Sequence, residues 1–148
     1  MTKINNWWQG ARPKTLGAAI SPVVVGSAIA YFEKSFNLSI SFLALIVSIS
    51  IQIGVNYAND YSDGIKGTDQ ERVGPTRLVA SGLATAKQVK EAAFLAFAIG
   101  AIAGLALALR TSLWFIAIGF LAIISAWRYT GGKNPYGYKG FGEIFVFI

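Results

Sequence analysis

The sequence predicts an all-α protein, a polytopic bundle of transmembrane helices with four complete spans and the start of a fifth. Three observations carry this expectation. Of the 148 residues, 54% are hydrophobic and only 14% charged, with a mean hydropathy of +0.52, beyond what a soluble domain of this size carries. Four uncharged stretches, at 15–32, 38–59, 92–109 and 111–127, each approach the ~20 residues that cross a bilayer. The cations between them fall on alternate sides, as multi-pass topology requires.

Taken in order, the first helix is expected at 15–32. Lys3, Arg12 and Lys14 before it, and the small residues Ser27, Ala28 and Ala30 inside it, imitate a signal peptide. The run is long for that role and three more spans follow, so it reads as a retained helix. Pro22 lies within it, which membrane helices tolerate, often with a kink. Residues 33–37 form a short connection to a second helix at 38–62. A loop follows at 64–84, and loops of that length are usually functional or disordered.

The third helix, 85–109, opens with Thr85 and Gln88 at capping-box spacing, which starts it outside the apolar run. Gly100 and Gly104 form a GxxxG pattern that permits close helix packing. Arg110 alone separates it from a fourth helix at 111–130. The first and second helices, and the third and fourth, should therefore pack as antiparallel hairpins. A final apolar run, 141–148, is too short to span, and the sequence reads as the N-terminal part of one longer transmembrane domain. Aromatic residues near the boundaries, such as Trp7, Trp8, Tyr31, Phe32, Trp114 and Phe115, suit an interfacial belt.

Charge then orients the bundle. Eleven cations (Lys3, Arg12, Lys14, Lys66, Arg72, Arg77, Lys87, Lys90, Arg128, Lys133, Lys139) fall on one side and two (Lys34, Arg110) on the other. The positive-inside rule places the first group, and with it the N-terminus and both long polar loops, in the cytoplasm. The expected location is a multi-pass protein of the bacterial inner membrane. Topology accounts for the net charge of +6, so nucleic acid is not an expected partner. The chain holds neither Cys nor His, which excludes disulfides, Cys or His metal ligands, thiol nucleophiles and Ser-His-Asp triads.

Chemistry concentrates at the end of the second helix, where three of the seven acids, Asp60, Asp63 and Asp69, lie within ten residues. Gln52, Asn56, Asn59, Asp60 and Asp63 share one helical face. A polar stripe facing hydrocarbon costs roughly 2.5–3.5 kcal/mol for a central aspartate, so it should face a bundle interior or an aqueous cavity. The alternative is that Asn56 and Asn59 are interhelical hydrogen bonders while Asp60 and Asp63 sit in solvated interface. Closely spaced carboxylates with an amide suit Mg²⁺, whose shell is commonly completed by substrate phosphate and water. The same face offers Arg12, Lys14, Lys66, Arg72, Arg77 and Lys139 to a diphosphate.

The run from Asn59 through Asp63 to Asp69 resembles the first aspartate-rich motif of the UbiA superfamily of intramembrane prenyltransferases. Residues 11–26, 76–82 and 129–147 are similar to the branch that prenylates 1,4-dihydroxy-2-naphthoate for menaquinone, so the likeness covers essentially the whole chain. The resemblance implies a nine-helix bundle around a cytoplasm-facing cavity, with two aspartate-rich motifs holding Mg²⁺ on a polyprenyl diphosphate. Only the first motif is present here. It also implies metal ligation by Asn59, Asp60, Asp63 and Asp69, a catalytic role for Asp60, Asp63 and Asp69, and substrate contacts from Asn56, Asn59, Lys14, Lys66, Arg77, Tyr129 and Lys139. Ionisation of the allylic diphosphate would leave a carbocation, which Tyr57, Tyr61, Trp127 or Tyr129 could shelter. The naphthoate ring would attack with loss of its carboxyl group, giving demethylmenaquinone. A different acceptor (4-hydroxybenzoate, haem, a chlorophyll precursor), an inactive fragment and a cation or proton transporter element are the competing readings.

Overall fold

The computed structural model describes residues 3–67, 76–132 and 134–141, and among them every regular element is helical. The elements are α1 (Lys3–Gly10), α2 (Pro13–Phe32), α3 (Leu38–Lys66), α4 (Ala86–Arg110) and α5 (Trp114–Arg128), followed by a short 3-10 helix, Tyr136–Lys139. Helices α2, α3 and α4 are long and apolar enough to cross a membrane. The expected run at 141–148 lies, beyond Phe141, outside the described residues.

Three boundaries differ from the expectation, each for a local reason. Helix α1 precedes the first span, and the chain breaks between the two at Arg12, which adopts the left-handed region with φ 54°. Pro13 then opens α2 with no amide hydrogen to lose. Helix α3 runs on through Gly64 to Lys66, where Gly67 closes it with φ 71° and donates its N–H to the Asp63 carbonyl. The 64–84 loop therefore starts a full turn later. Helix α5 has 15 residues against the 111–130 expected, because Thr111 to Leu113 form a turn and Tyr129–Thr130 another. At 1.5 Å per residue it reaches ~22 Å, short of a ~30 Å hydrocarbon core.

Short connections join α2 to α3 and α4 to α5, and each of these pairs packs together. Between α2 and α3, Ser35 donates its N–H to the Ala30 carbonyl across 2.8 Å, and Ser27 donates to Ser41 across 2.9 Å. The tightest pairing joins α3 to α4, where Gly100 is buried and a β-carbon there would touch Ile51 and Ser50 at 3.4 Å. Gly104 meets Val47 in the same seam. The GxxxG pattern thus works as a packing face. Helix α4 opens on the capping box, with Thr85 and Gln88 satisfying each other's backbone N–H.

The core lies at one end of the bundle. Tyr57, Ala58, Leu78, Val89, Ala93 and Phe97 are buried together, with Ala11 against them. Away from it, long apolar side chains such as Val24, Val25, Phe42, Ile102 and Leu105 face outward, the pattern of helices whose surroundings are themselves apolar.

Candidate functional site

The polar stripe on α3 divides between two tasks. Gln52 and Asn56 turn toward the α1–α2 break: Asn56 Nδ2 donates to the Ala11 carbonyl at 2.8 Å and to Thr15 Oγ1 at 3.0 Å, and Gln52 Nε2 reaches the same hydroxyl at 3.3 Å. Thr15 in turn donates to the Arg12 carbonyl at 2.9 Å. These amides satisfy a helix end that would otherwise leave polar groups orphaned beside the core. These bonds place Asn56, one of the expected substrate contacts, at this joint.

One turn further along, Asn59 and Asp63 line a cavity of about 350 Å³ together with Arg12, Arg77, Tyr129, Thr130 and Gly137. Asp63 is 5% exposed and sits 3.7 Å from the Arg77 guanidinium. Asn59 accepts a 2.7 Å hydrogen bond from Thr130 Oγ1. A cavity with one carboxylate, an amide and two guanidinium groups favours an anionic ligand, for which paired arginines are the strongest organic partners.

The structure places the remaining expected residues variously. Asp60 is 1% exposed, and its two carboxylate oxygens accept the backbone N–H groups of Leu78 at 2.7 Å and Val79 at 3.1 Å. Lys66 donates to the Thr130 carbonyl at 2.6 Å. Lys14 and Lys139 are exposed and outside the cavity lining. Asp69, Arg72 and Lys133 lie outside the described residues. Of the aromatic candidates, Tyr129 lines the cavity. Tyr57 donates to the Trp7 carbonyl at 2.9 Å, and Trp127 stacks on Tyr61 and Phe94 at 6.0 and 4.8 Å, so these rings pack the bundle.

Thr130 and Gly137 also line this cavity and were not among the residues expected from the motif. Thr130 is 5% exposed and joins Asn59 to Lys66 through its hydroxyl and carbonyl. Gly137 donates its N–H to the Tyr129 carbonyl at 2.9 Å, and a β-carbon there would stand 2.5 Å from that oxygen. Four glycines among residues 131–140 were the available signal, since they mark close backbone approach. Tyr136 supports the same turn by donating to the Ser125 carbonyl at 3.0 Å. Burial first, then Tyr129, pushes its phenol above the ordinary range and keeps it a donor.

The cavity also bears on a metal. Among the described residues no group of three or more His, Cys, Asp or Glu could hold an ion alone. Asp63 and the Asn59 amide nevertheless supply the hard oxygen donors that Mg²⁺ takes when phosphate and water complete its shell. The residues present fit a metal brought in with a phosphate ligand.

Comparison with known proteins follows the same lines. Residues 19–148 match the model of the UbiA prenyltransferase family. The whole chain is 53% identical to part of the 1,4-dihydroxy-2-naphthoate octaprenyltransferase of Mycobacterium tuberculosis, covering 51% of that protein. It is 37% identical to the Escherichia coli protein of the same name, covering 50% of it. A Drosophila melanogaster homologue of UbiA prenyltransferase domain-containing protein 1 is 29% identical over 99% of this chain and 42% of its own length. The chain spans about half the length of the curated relatives it matches. No solved structure matches.

Proposed function

This chain belongs to the UbiA prenyltransferase family, and from that premise we propose that it forms the diphosphate-binding part of an intramembrane enzyme. The proposed reaction moves a polyprenyl group from its diphosphate to 1,4-dihydroxy-2-naphthoate, giving the hydroquinone demethylmenaquinol with release of diphosphate and carbon dioxide. One observation carries the reading: Asp63, Asn59, Arg12 and Arg77 converge on a single cavity at the end of a helix long enough to span a membrane. The acceptor rests on the names of the relatives in Mycobacterium tuberculosis and Escherichia coli. The orientation proposed is cytoplasmic for this cavity, in a bacterial inner membrane, since the positive-inside rule assigns eleven of the thirteen cations, Arg12 and Arg77 of the cavity among them, to that side.

In this reading Arg12 and Arg77 take the diphosphate oxygens, and Asp63 keeps the Arg77 guanidinium facing the cavity. Asp63 and Asn59, with Asp69 beyond the described residues, are the proposed metal-holding groups. Bound Mg²⁺ would offset the charge that builds on the departing diphosphate. The Tyr129 ring lines the same cavity and is placed to attract the positive charge left on the allylic carbon. The acceptor carbon then bonds to that carbon and its carboxyl group leaves as carbon dioxide.

A competition assay on the full-length enzyme tests the acceptor. With one polyprenyl diphosphate and equal 1,4-dihydroxy-2-naphthoate and 4-hydroxybenzoate, the naphthoate product should dominate by at least about tenfold, the discrimination expected when a buried polar pocket is built for one ring. Equal use of the two acceptors, or preference for the benzoate, would overturn the acceptor assignment.

A further inference from the structure

The aspartate of the Asn59–Asp60 pair lies outside the cavity lining that Asn59 and Asp63 share. Asp60 is one turn before Gly64 on α3 and three residues before Asp63, and its carboxylate is almost wholly buried at 1% exposure. Each of its oxygens accepts a backbone N–H, from Leu78 at 2.7 Å and from Val79 at 3.1 Å. A buried carboxylate is costly unless its charge is met by donors, and here consecutive peptide groups from a segment outside the spans meet it.

The geometry points to Asp60 as a positioning residue that clamps the 76–84 segment onto α3 and so delivers Arg77 to the cavity, in place of a role as a metal ligand. Three features of the packing carry this. The clamped peptides belong to the two residues directly after Arg77, so holding them fixes where the Arg77 side chain starts. Both flanking side chains are seated in notches cut by glycine. Leu78 is fully buried against Gly10, and Val79, partly buried, packs against Gly64; β-carbons on these glycines would stand 2.6 Å from them. The segment also folds back on itself: Ser81 donates to the Arg77 carbonyl at 3.0 Å, Leu83 to that of Leu78 at 2.9 Å, and Gly82 turns with φ 66°. A rigid turn held at its start by a charge-assisted clamp transmits the position of α3 to the guanidinium 3.7 Å from Asp63.

The catalytic consequence rests on the prenyltransferase reading, whereas the clamp does not, and the experiment separates them. In the full-length enzyme, backbone amide hydrogen exchange is compared for the wild type, Asp60→Asn and Asp63→Asn. In the wild type the Leu78 and Val79 amides should exchange more slowly than that of exposed Ala80, a result that needs no variant to fold. Asp60→Asn should speed both by about tenfold or more, as loss of a hydrogen bond to a charged group implies, and Asp63→Asn should leave them protected. The second readout is prenyl transfer. Asp60→Asn should raise KM for the polyprenyl diphosphate while the half-saturating Mg²⁺ concentration stays at the wild-type value. In an Arg77→Ala background it should raise KM no further. Unprotected amides in the wild type, unchanged exchange in Asp60→Asn, or a raised Mg²⁺ requirement matching that of Asp63→Asn would each overturn the assignment. Absence of transfer by the wild type would sink the enzyme reading and leave the exchange data to decide the clamp.

Discussion

At the scale of single residues, the cavity works through hydrogen bonds that connect segments far apart in sequence. Thr130 is the clearest instance, because its hydroxyl fixes Asn59 and its carbonyl holds the Lys66 ammonium. Thr130→Val keeps the shape and removes the donor. With about 1 kcal/mol for a neutral hydrogen bond, kcat/KM for prenyl transfer should fall about fivefold, measured in the full-length enzyme. The 3.6-residue period of the polar stripe was legible in the sequence, since it needs only the spacing of Gln52, Asn56, Asn59, Asp60 and Asp63. The division of labour within the stripe was not. Asn56 donates to the Ala11 carbonyl as well as to the Thr15 hydroxyl, and Asp60 accepts the N–H groups of Leu78 and Val79, all 18 or more residues away, and main-chain partners leave no mark in residue identity.

Among the elements, α4 and its contact with α3 are the best specified. Thr85 and Gln88 announced the helix start, and both halves of the capping box form. Thr85→Ala should cost about 1 kcal/mol, read as a lower unfolding midpoint in detergent. Within the seam, Gly54 lies against Phe97, and a β-carbon there would approach the ring to 2.6 Å. Gly54→Leu should destabilise by about 1–3 kcal/mol through overpacking, a larger loss than Thr85→Ala in the same assay. Helix α1 escaped the sequence reading because eight mixed residues show no span-like hydropathy. It exists through its packing, with Trp7 edge-on to Tyr57 at 5.6 Å. The shortness of α5 also escaped, because residues 111–113 and 129–130 are uncharged and include neither Gly nor Pro to mark its ends.

For the whole molecule, the three cation-rich segments meet at one end of the bundle. Hydrogen bonds tie α3 to the α1–α2 joint, to the 76–84 segment and to the turn after α5. Charge counting anticipated that arrangement, because topology acts on loops regardless of their detailed structure. The chain has no cysteine, so single introduced thiols report sidedness without background. Cysteine at Ser35 or Ser112 should react with an impermeant maleimide added outside intact cells, and cysteine at Gly82 or Lys139 should react only after the membrane is opened. The reverse pattern would invert the proposed orientation.

In the proposed reaction the Asp63 cavity binds the diphosphate whose departure starts prenyl transfer. The most direct measurement is prenyl transfer from radiolabelled polyprenyl diphosphate to 1,4-dihydroxy-2-naphthoate by the full-length enzyme, wild type against Asp63→Ala, with Mg²⁺ present and after its removal by chelation. Transfer by the wild type is expected only with Mg²⁺, with a loss of about 100-fold or more in Asp63→Ala, the scale of removing a key charge-stabilising group, and membrane insertion retained. Transfer by Asp63→Ala at the wild-type rate would contradict that role of the cavity.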